Sequence, residues 1–384
     1  MVVLTGPRQS GKTTLLKRLF GKSHRYSSLD LPDVRSSAVA DPRGFLLQYP
    51  PPVIFDEVQN APVLLPYIKA WVDEHRSRKG QYILTGSQNL LVSRDVTESL
   101  AGRAAIMTLM PLTRREESAD WAKALPWEKG GSSMDGGPSG GGLAGIINRG
   151  WYPELAAAPG RDLHGWHASY IRTYLEREIR SLRQVGDLVV FQNFLRALAV
   201  RSGQLLNMAD ISRDLGVALN TIKAWLSVLV ATHQVVILTP YFVNIGKRLI
   251  KTPKVYFTDT GTLCYLAGLS GPSQVLGGPL GGAVFEAAVV AEVYKTLANR
   301  GEEPRIHFWR THKGEEVDLV VDRGDVLVPM EAKATSTPKP SMAGGILAFQ
   351  RAFGKKATAG FVVHSGTIRL PLSPGVTAIP FSDL

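Results

Sequence analysis

The chain has 384 residues, 44% of them hydrophobic and 20% charged, which excludes a disordered protein and gives enough length for two or three separate cores. One cysteine, Cys264, excludes an intramolecular disulfide and a cysteine-built zinc site, and fits a reducing compartment. The formal net charge of +11 favours polyanions such as nucleic acid, but charge of this size is also common in proteins that bind none.

The opening "MVVLTGPRQS" lacks the basic, apolar and small-residue parts of a secretion signal, and no uninterrupted apolar run approaches the roughly 20 residues that span a bilayer. A cytoplasmic protein with no membrane partner is the expectation. Residues 1–118 alternate short β-branched runs ("VVLTG", "VIFDEV", "YILTGS", "AIMTLMPL") with helical stretches, the pattern of a mostly parallel α/β sheet. Between the first strand and the helical "TTLLKRLF", "GPRQSGKT" fits G-x-x-x-x-G-K-[ST] without a mismatch. In that setting the main-chain N–H groups of Gly6, Pro7, Arg8, Gln9, Ser10, Gly11, Lys12, Thr13 and Thr14, proline excepted, surround phosphates, and the two glycines permit close approach. Lys12 is expected to reach the β and γ phosphates and Thr13 to ligate Mg²⁺.

"VIFDEVQ" supplies the second half: Asp56 to hold Mg²⁺ through water and Glu57 to polarise an attacking water. The plain alternative is an acidic turn. "YILTGSQ" ends in Ser87 and Gln88, where a polar group is expected to sense the γ phosphate, although Gly-Ser is also an ordinary turn. No guanine-reading Asn/Thr-Lys-x-Asp motif is present, so the expected nucleotide is ATP.

Residues 119–149 contain "EKGGSSMDGGPSGGGLAG", too poor in apolar residues to pack, and read as a linker. From 150 to 270 the pattern turns helical ("WHASYIRTYLEREIRSL", "FQNFLRALAVRSG", "ADISRDLG", "NTIKAWLSVLVATH") and then gives two strand-like runs around a basic loop, a winged-helix layout. The candidate recognition helix offers only Asn220, Thr221 and Lys223 before it becomes apolar. The wing "NIGKRLIKTPK" carries Lys247, Arg248, Lys251 and Lys254, which suit non-specific contact with a DNA backbone or, more plainly, a solvated hairpin. Residues 271–384 open on a long helix and then alternate strands with turns. Within them "EEVDLVVDRGDVLVPMEAK" sets carboxylates and a lysine on two adjacent strands joined at "RGD".

The stretches "LTGPRQSGKTTLL", "VIFDEVQNAP", "ILTGSQ", "ESLAGRAAIMTLMPLTRRE", "GWYPEL", "FTDTGTLCYLAGL" and "FEAAVVAEVYK" resemble, in order along nearly the whole chain, a family of bacterial and archaeal AAA+ ATPases whose C-terminal half is a domain of unknown function. The resemblance implies ATP binding and hydrolysis, a winged-helix module and a C-terminal α/β domain of restriction-endonuclease-like, PD-(D/E)XK type. It maps a metal set onto Glu286, Asp318 and Glu331, with Lys333 steadying the nucleophile. It also makes Arg103 in "AGRAA" and Arg177 in "YLEREI" candidates for stabilising phosphate charge, in cis or from a neighbouring subunit, against the plain reading of surface ion pairs. Two features depart from the family: the first strand begins at Met1 without a preceding helical stretch, which puts adenine contacts in question, and the glycine tract is long. The expected function is an ATP-binding, Mg²⁺-dependent ATPase whose nucleotide state changes the packing of its C-terminal domains. The alternatives are an ATP-controlled, metal-dependent DNA nuclease and a nucleotide-gated scaffold that binds ATP, and a protein partner through its C-terminal domain, but hardly turns over.

Overall fold

The computed structural model describes residues 1–86, 101–128, 142–175, 188–241 and 252–384. Contacts within the chain divide it into two units. The first is formed chiefly by Met1–Pro111, and the second by most of Leu112–Leu384.

The first unit is built on five parallel strands, β1 (Val2–Thr5), β2 (Arg25–Ser28), β3 (Val53–Asp56), β4 (Tyr82–Thr85) and β5 (Ala105–Thr108), in the order β2-β3-β4-β1-β5. Every residue of β3 and β4 is buried, because a parallel sheet is covered on both faces and its central strands can be apolar throughout. Alternation sorts the side chains: Val3, Phe55 and Leu84 pack with Phe45, Leu64 and Ile68 on one face, and Leu4, Ile54 and Ile83 with Leu16 on the other. Helix α1 (Lys12–Phe20) follows β1, and α2 (Leu65–Glu74) precedes β4.

The second unit begins with helices. Helix α3 (Gly142–Arg149) buries Ile146 and Ile147, so the span that composition assigned to the linker is helical at its C-terminal end. Helices α4 (Leu188–Ala199), α5 (Met208–Leu215) and α6 (Leu219–Ala231) follow, α5 and α6 meeting at a bend of 113°. Next come the antiparallel pair β6 (Val235–Leu238) and β7 (Lys254–Phe257) and helix α7 (Thr260–Leu266). Helix α8 (Gly281–Asn299) is apolar on nearly every side, with Val284, Phe285, Ala288, Val289, Val293 and Leu297 all buried, as a helix enclosed by the core requires. No single helix among the described residues is long and apolar enough to cross a membrane.

A six-stranded mixed sheet completes this unit: β8 (Ile306–Arg310), β9 (Glu316–Asp322), β10 (Leu327–Lys333), β11 (Gly360–His364), β12 (Leu370–Ser373) and β13 (Val376–Pro380), ordered β12-β13-β11-β10-β9-β8. β8, β9 and β10 form an antiparallel meander, whereas β10, β11 and β13 are parallel neighbours, with helix α9 (Gly344–Phe353) crossing between β10 and β11.

A buried polar brace links distant segments of the same unit. Glu292 of α8 accepts the main-chain N–H of Arg114 at 2.8 Å, and Lys295, one turn on, donates to the carbonyl of Leu112 at 2.7 Å. Asp259 accepts from the N–H of Trp151 at 2.7 Å while capping α7 through Thr262. Burial raises the Glu292 pKa and lowers that of Lys295, so the brace is held by hydrogen-bond geometry as well as by charge.

Candidate nucleotide site and C-terminal carboxylate cluster

In a parallel sheet, the loops after the strands all open at one end. β1 runs into residues 6–11 there, and β3 and β4 end beside them in Asp56 and Thr85. Gly6 has φ 138°, and a Cβ on it would stand 2.1 Å from the Leu109 carbonyl oxygen, so no other residue fits. Gly11, at φ 92°, ends the loop and starts α1 without a side-chain cap, which leaves the first-turn amides of the helix turned toward the loop. The Lys12 ammonium folds back over this loop and donates to the carbonyls of Gly6 (3.0 Å) and Pro7 (2.7 Å).

Asp56 is 5% exposed and gathers three hydroxyl groups. Thr13 donates to its Oδ2 at 2.9 Å, Tyr26 to the same oxygen at 2.6 Å, and Thr85 to Oδ1. Burial, and then the Asp56 carboxylate, push the Tyr26 phenol well above its ordinary range, so Tyr26 remains a donor. Thr85 in turn accepts the N–H of Glu57 at 3.1 Å. Glu57 has a left-handed backbone (φ 57°), and its carboxylate accepts from the Gln59 amide. His233, which groups with the first unit, is buried near Lys12; desolvation and the Lys12 charge bring its pKa down to about 4.

The structure thus brings Lys12, Thr13, Asp56 and Glu57 to one end of the sheet. Tyr26 and Thr85 were missed from the sequence, although Thr85, a polar residue closing the apolar run of β4, was a usable signal. Ser87 and Arg177 lie outside the described residues. The expectation that Arg103 stabilises phosphate charge in cis is not met. Its guanidinium donates to Asp73 at 2.8 Å, and its carbonyl accepts from the Met1 amine. That is the start of β1, so the four-residue strand, about 13 Å long, separates Arg103 from the phosphate loop. The Arg103 hydrogen bond holds the Asp73 pKa below its ordinary value.

The oxygen donors Thr13 and Asp56 fit a hard cation such as Mg²⁺, which takes one or two protein oxygens and fills its shell with water and phosphate. Among the described residues no three His, Cys, Asp or Glu side chains are grouped to hold a metal on their own.

That finding bears on the second cluster. Asp318 of β9 and Glu331 of β10 follow next along from the cross-strand pair Leu319 and Met330, and Glu286 reaches the same cluster from α8. They converge with lysines among them. Lys333 lies 2.6 Å from Glu331 and 3.6 Å from Asp318, and Lys254 lies 2.9 Å from Glu286 and 2.7 Å from Glu316. Tyr256 donates to Glu286 at 2.5 Å, and Asp318 accepts the Ala332 N–H at 2.9 Å. Burial, and then the Asp318 charge, push the Glu286 carboxyl up to about 7 and raise Glu331 as well. Burial works against both ammonium groups, yet the surrounding carboxylates hold Lys254 and Lys333 above the usual lysine range. Lys254, read from sequence with the exposed basic wing, is in fact 4% exposed. Lys247, Arg248 and Lys251 lie outside the described residues.

In comparisons with known proteins, the AAA domain family matches residues 1–117, a domain of unknown function (DUF8612) matches 142–273, and a second (DUF4143) matches 281–384. Uncharacterized protein Rv2008c of Mycobacterium tuberculosis (strain ATCC 25618 / H37Rv) and uncharacterized protein Mb2031c of Mycobacterium bovis (strain ATCC BAA-935 / AF2122/97) are each 33% identical over 390 residues, covering 100% of this chain and 80% of their own. A solved structure of a single-substitution variant of Thermotoga maritima RuvB is 16% identical, over 62% of this chain and 82% of that one, with a TM-score of 0.26. At that score the likeness carries no argument.

Proposed function

Because this chain belongs to the family of the mycobacterial proteins Rv2008c and Mb2031c and carries an AAA domain at its N-terminus, we propose that it is a magnesium-dependent ATPase whose nucleotide state controls its C-terminal domains. The observation that carries this reading is the 2.9 Å hydrogen bond joining Thr13, in the first turn after the glycine loop, to Asp56 at the end of β3. Those two side chains would hold a Mg²⁺ ion, Thr13 directly and Asp56 through water. When bound, the ion neutralises charge on the β and γ phosphates.

Each residue of this site then has a task. The amides of residues 6–14 other than Pro7 receive phosphate oxygens, and Pro7, without an N–H, keeps the loop's shape. Lys12 exchanges its two neutral carbonyl partners for phosphate oxygens. Glu57, at the same end of the sheet, orients the attacking water. Tyr26 and Thr85 fix the Asp56 carboxylate, so that little reorganisation is needed when the nucleotide arrives. For the remaining domains, α4 to α6 followed by β6 and β7 support a winged-helix reading. The mixed sheet with Asp318 on β9 and Glu331 and Lys333 on β10 supports a restriction-endonuclease-like fold without favouring nuclease activity.

Calorimetric titration with MgATP, beside a phosphate-release assay, tests this on the parent protein, Lys12→Ala and Glu57→Gln. Lys12→Ala is expected to lose binding, and Glu57→Gln to bind normally while turning over at least about 100-fold more slowly. Binding untouched by Lys12→Ala would overturn the proposal. Binding without turnover in the parent protein would replace the ATPase by a nucleotide-gated scaffold.

A further inference from the structure

The C-terminal cluster has the carboxylates of a metal site without the vacancy. Glu286, Glu316, Asp318 and Glu331 face Lys254 and Lys333, and Arg310 approaches Glu316 at 3.4 Å, so four carboxyl groups meet three basic ones. A divalent cation needs carboxylate oxygens at about 2.0–2.6 Å. One oxygen each of Glu286, Glu316 and Glu331 already accepts from an ammonium group at 2.6–2.9 Å, and Asp318 Oδ2 accepts the Ala332 N–H with Lys333 at 3.6 Å.

We propose that this cluster takes its cation from the chain itself: Lys254 of β7 is its resident counter-ion, and while Lys254 is in place the cluster binds no divalent metal. Three features carry this. Lys254 is buried and bridges two carboxylates from different elements, Glu286 on α8 and Glu316 on β9. Its ammonium also lies 5.4 Å from the Phe308 ring centroid, so withdrawing it would strand a charge in an apolar surrounding. On the far side, a Cβ on Gly345 of α9 would meet the Glu316 carbonyl oxygen at 2.0 Å and Glu331 Oε1 at 2.4 Å, so the helix backbone closes directly over the carboxylates. Entry of a metal therefore requires β7 to release its lysine. The carboxylates then act as a latch on β7, and the C-terminal domain has no metal-dependent nuclease activity while Lys254 stays seated. This inference does not rest on the ATPase reading.

Binding of Mn²⁺ to nucleotide-free protein, followed by the paramagnetic resonance of free Mn²⁺, tests it in the parent protein, Asp318→Asn, Lys254→Met and the double variant. The parent and Asp318→Asn are expected to give the same isotherm up to about 1 mM Mn²⁺, with Lys254→Met gaining one ion at least about tenfold tighter and the double variant losing it again. Mn²⁺ uptake by the parent that Asp318→Asn removes would overturn the proposal, and this pair decides even if Lys254→Met does not fold. A folded Lys254→Met that gains no ion would overturn it equally. The readout is independent of ATP, so failure here leaves the nucleotide site untouched, and the converse holds.

Discussion

Lys12 and Lys254 are both buried ammonium groups, but they make different bonds. Lys12 is held by two neutral main-chain carbonyls, whereas Lys254 sits between two carboxylates. A carbonyl held by an ammonium is easily exchanged for a better anion, since each such bond is worth little net once solvent is counted. A buried carboxylate pair is not, because leaving either partner alone costs several times more. The carboxylates follow the same division. Among the described residues the Asp56 carboxylate is bound by three hydroxyl groups, whereas the C-terminal acids pair with ammonium groups. The Lys12 bonds to the Gly6 and Pro7 carbonyls are thus weaker than the Lys254 bonds to Glu286 and Glu316.

The largest effect expected from this contrast is on stability. Lys254→Ala should lower the unfolding free energy by about 3–5 kcal/mol, and Lys12→Ala by only about 1–2 kcal/mol, with urea titrations as the measurement. Equal losses would erase the contrast.

A smaller effect sharpens it at the first site. With its folded pKa near 4 and an ordinary value of 6.5, His233 contributes stability that is present above pH 6.5 and lost as the pH falls toward 4. Between pH 7 and pH 5 the parent should therefore lose about 2 kcal/mol more than His233→Gln. If both lose the same amount, His233 is not kept neutral beside Lys12. The smallest effect is that of Tyr26→Phe. It removes one of three hydroxyl groups on Asp56 and should cost about 1 kcal/mol of stability while weakening MgATP binding several-fold in calorimetry. No change in either would mean that Tyr26 does not hold the carboxylate.

The first site was largely legible in the sequence because its determinants are local. Gly6, Gly11, Lys12 and Thr13 lie within one turn and the start of one helix, and Asp56 ends an unbroken apolar run. Tyr26 was not legible, since it reaches Asp56 only because β2 pairs with β3 in the register that sets Ser28 beside Asp56. Arg103 stands at the far end of β1 from the glycine loop of its own chain, and family context says nothing about which end of a strand a residue occupies. Four of the five parallel strands followed from β-branched runs separated by helical stretches, whereas β2, "RYSS", has no β-branched residue to announce it. The start of α3 at Gly142 did not, because glycine composition hides a helix whose stability comes from burying Ile146 and Ile147. In the C-terminal cluster the expected residues do converge, but their partners do not announce themselves. Lys254 looks like one more basic residue in "NIGKRLIKTPK", and its burial depends on Glu286, 32 residues away.

The brace on α8 has a mechanical consequence. Leu112 and Arg114 are bolted to Lys295 and Glu292, and Glu286 stands on the same rod less than two turns before Glu292, about 9 Å along its axis. An α-helix resists compression along its length, so the segment at residues 112–114 and the acid that holds Lys254 are carried on one stiff element.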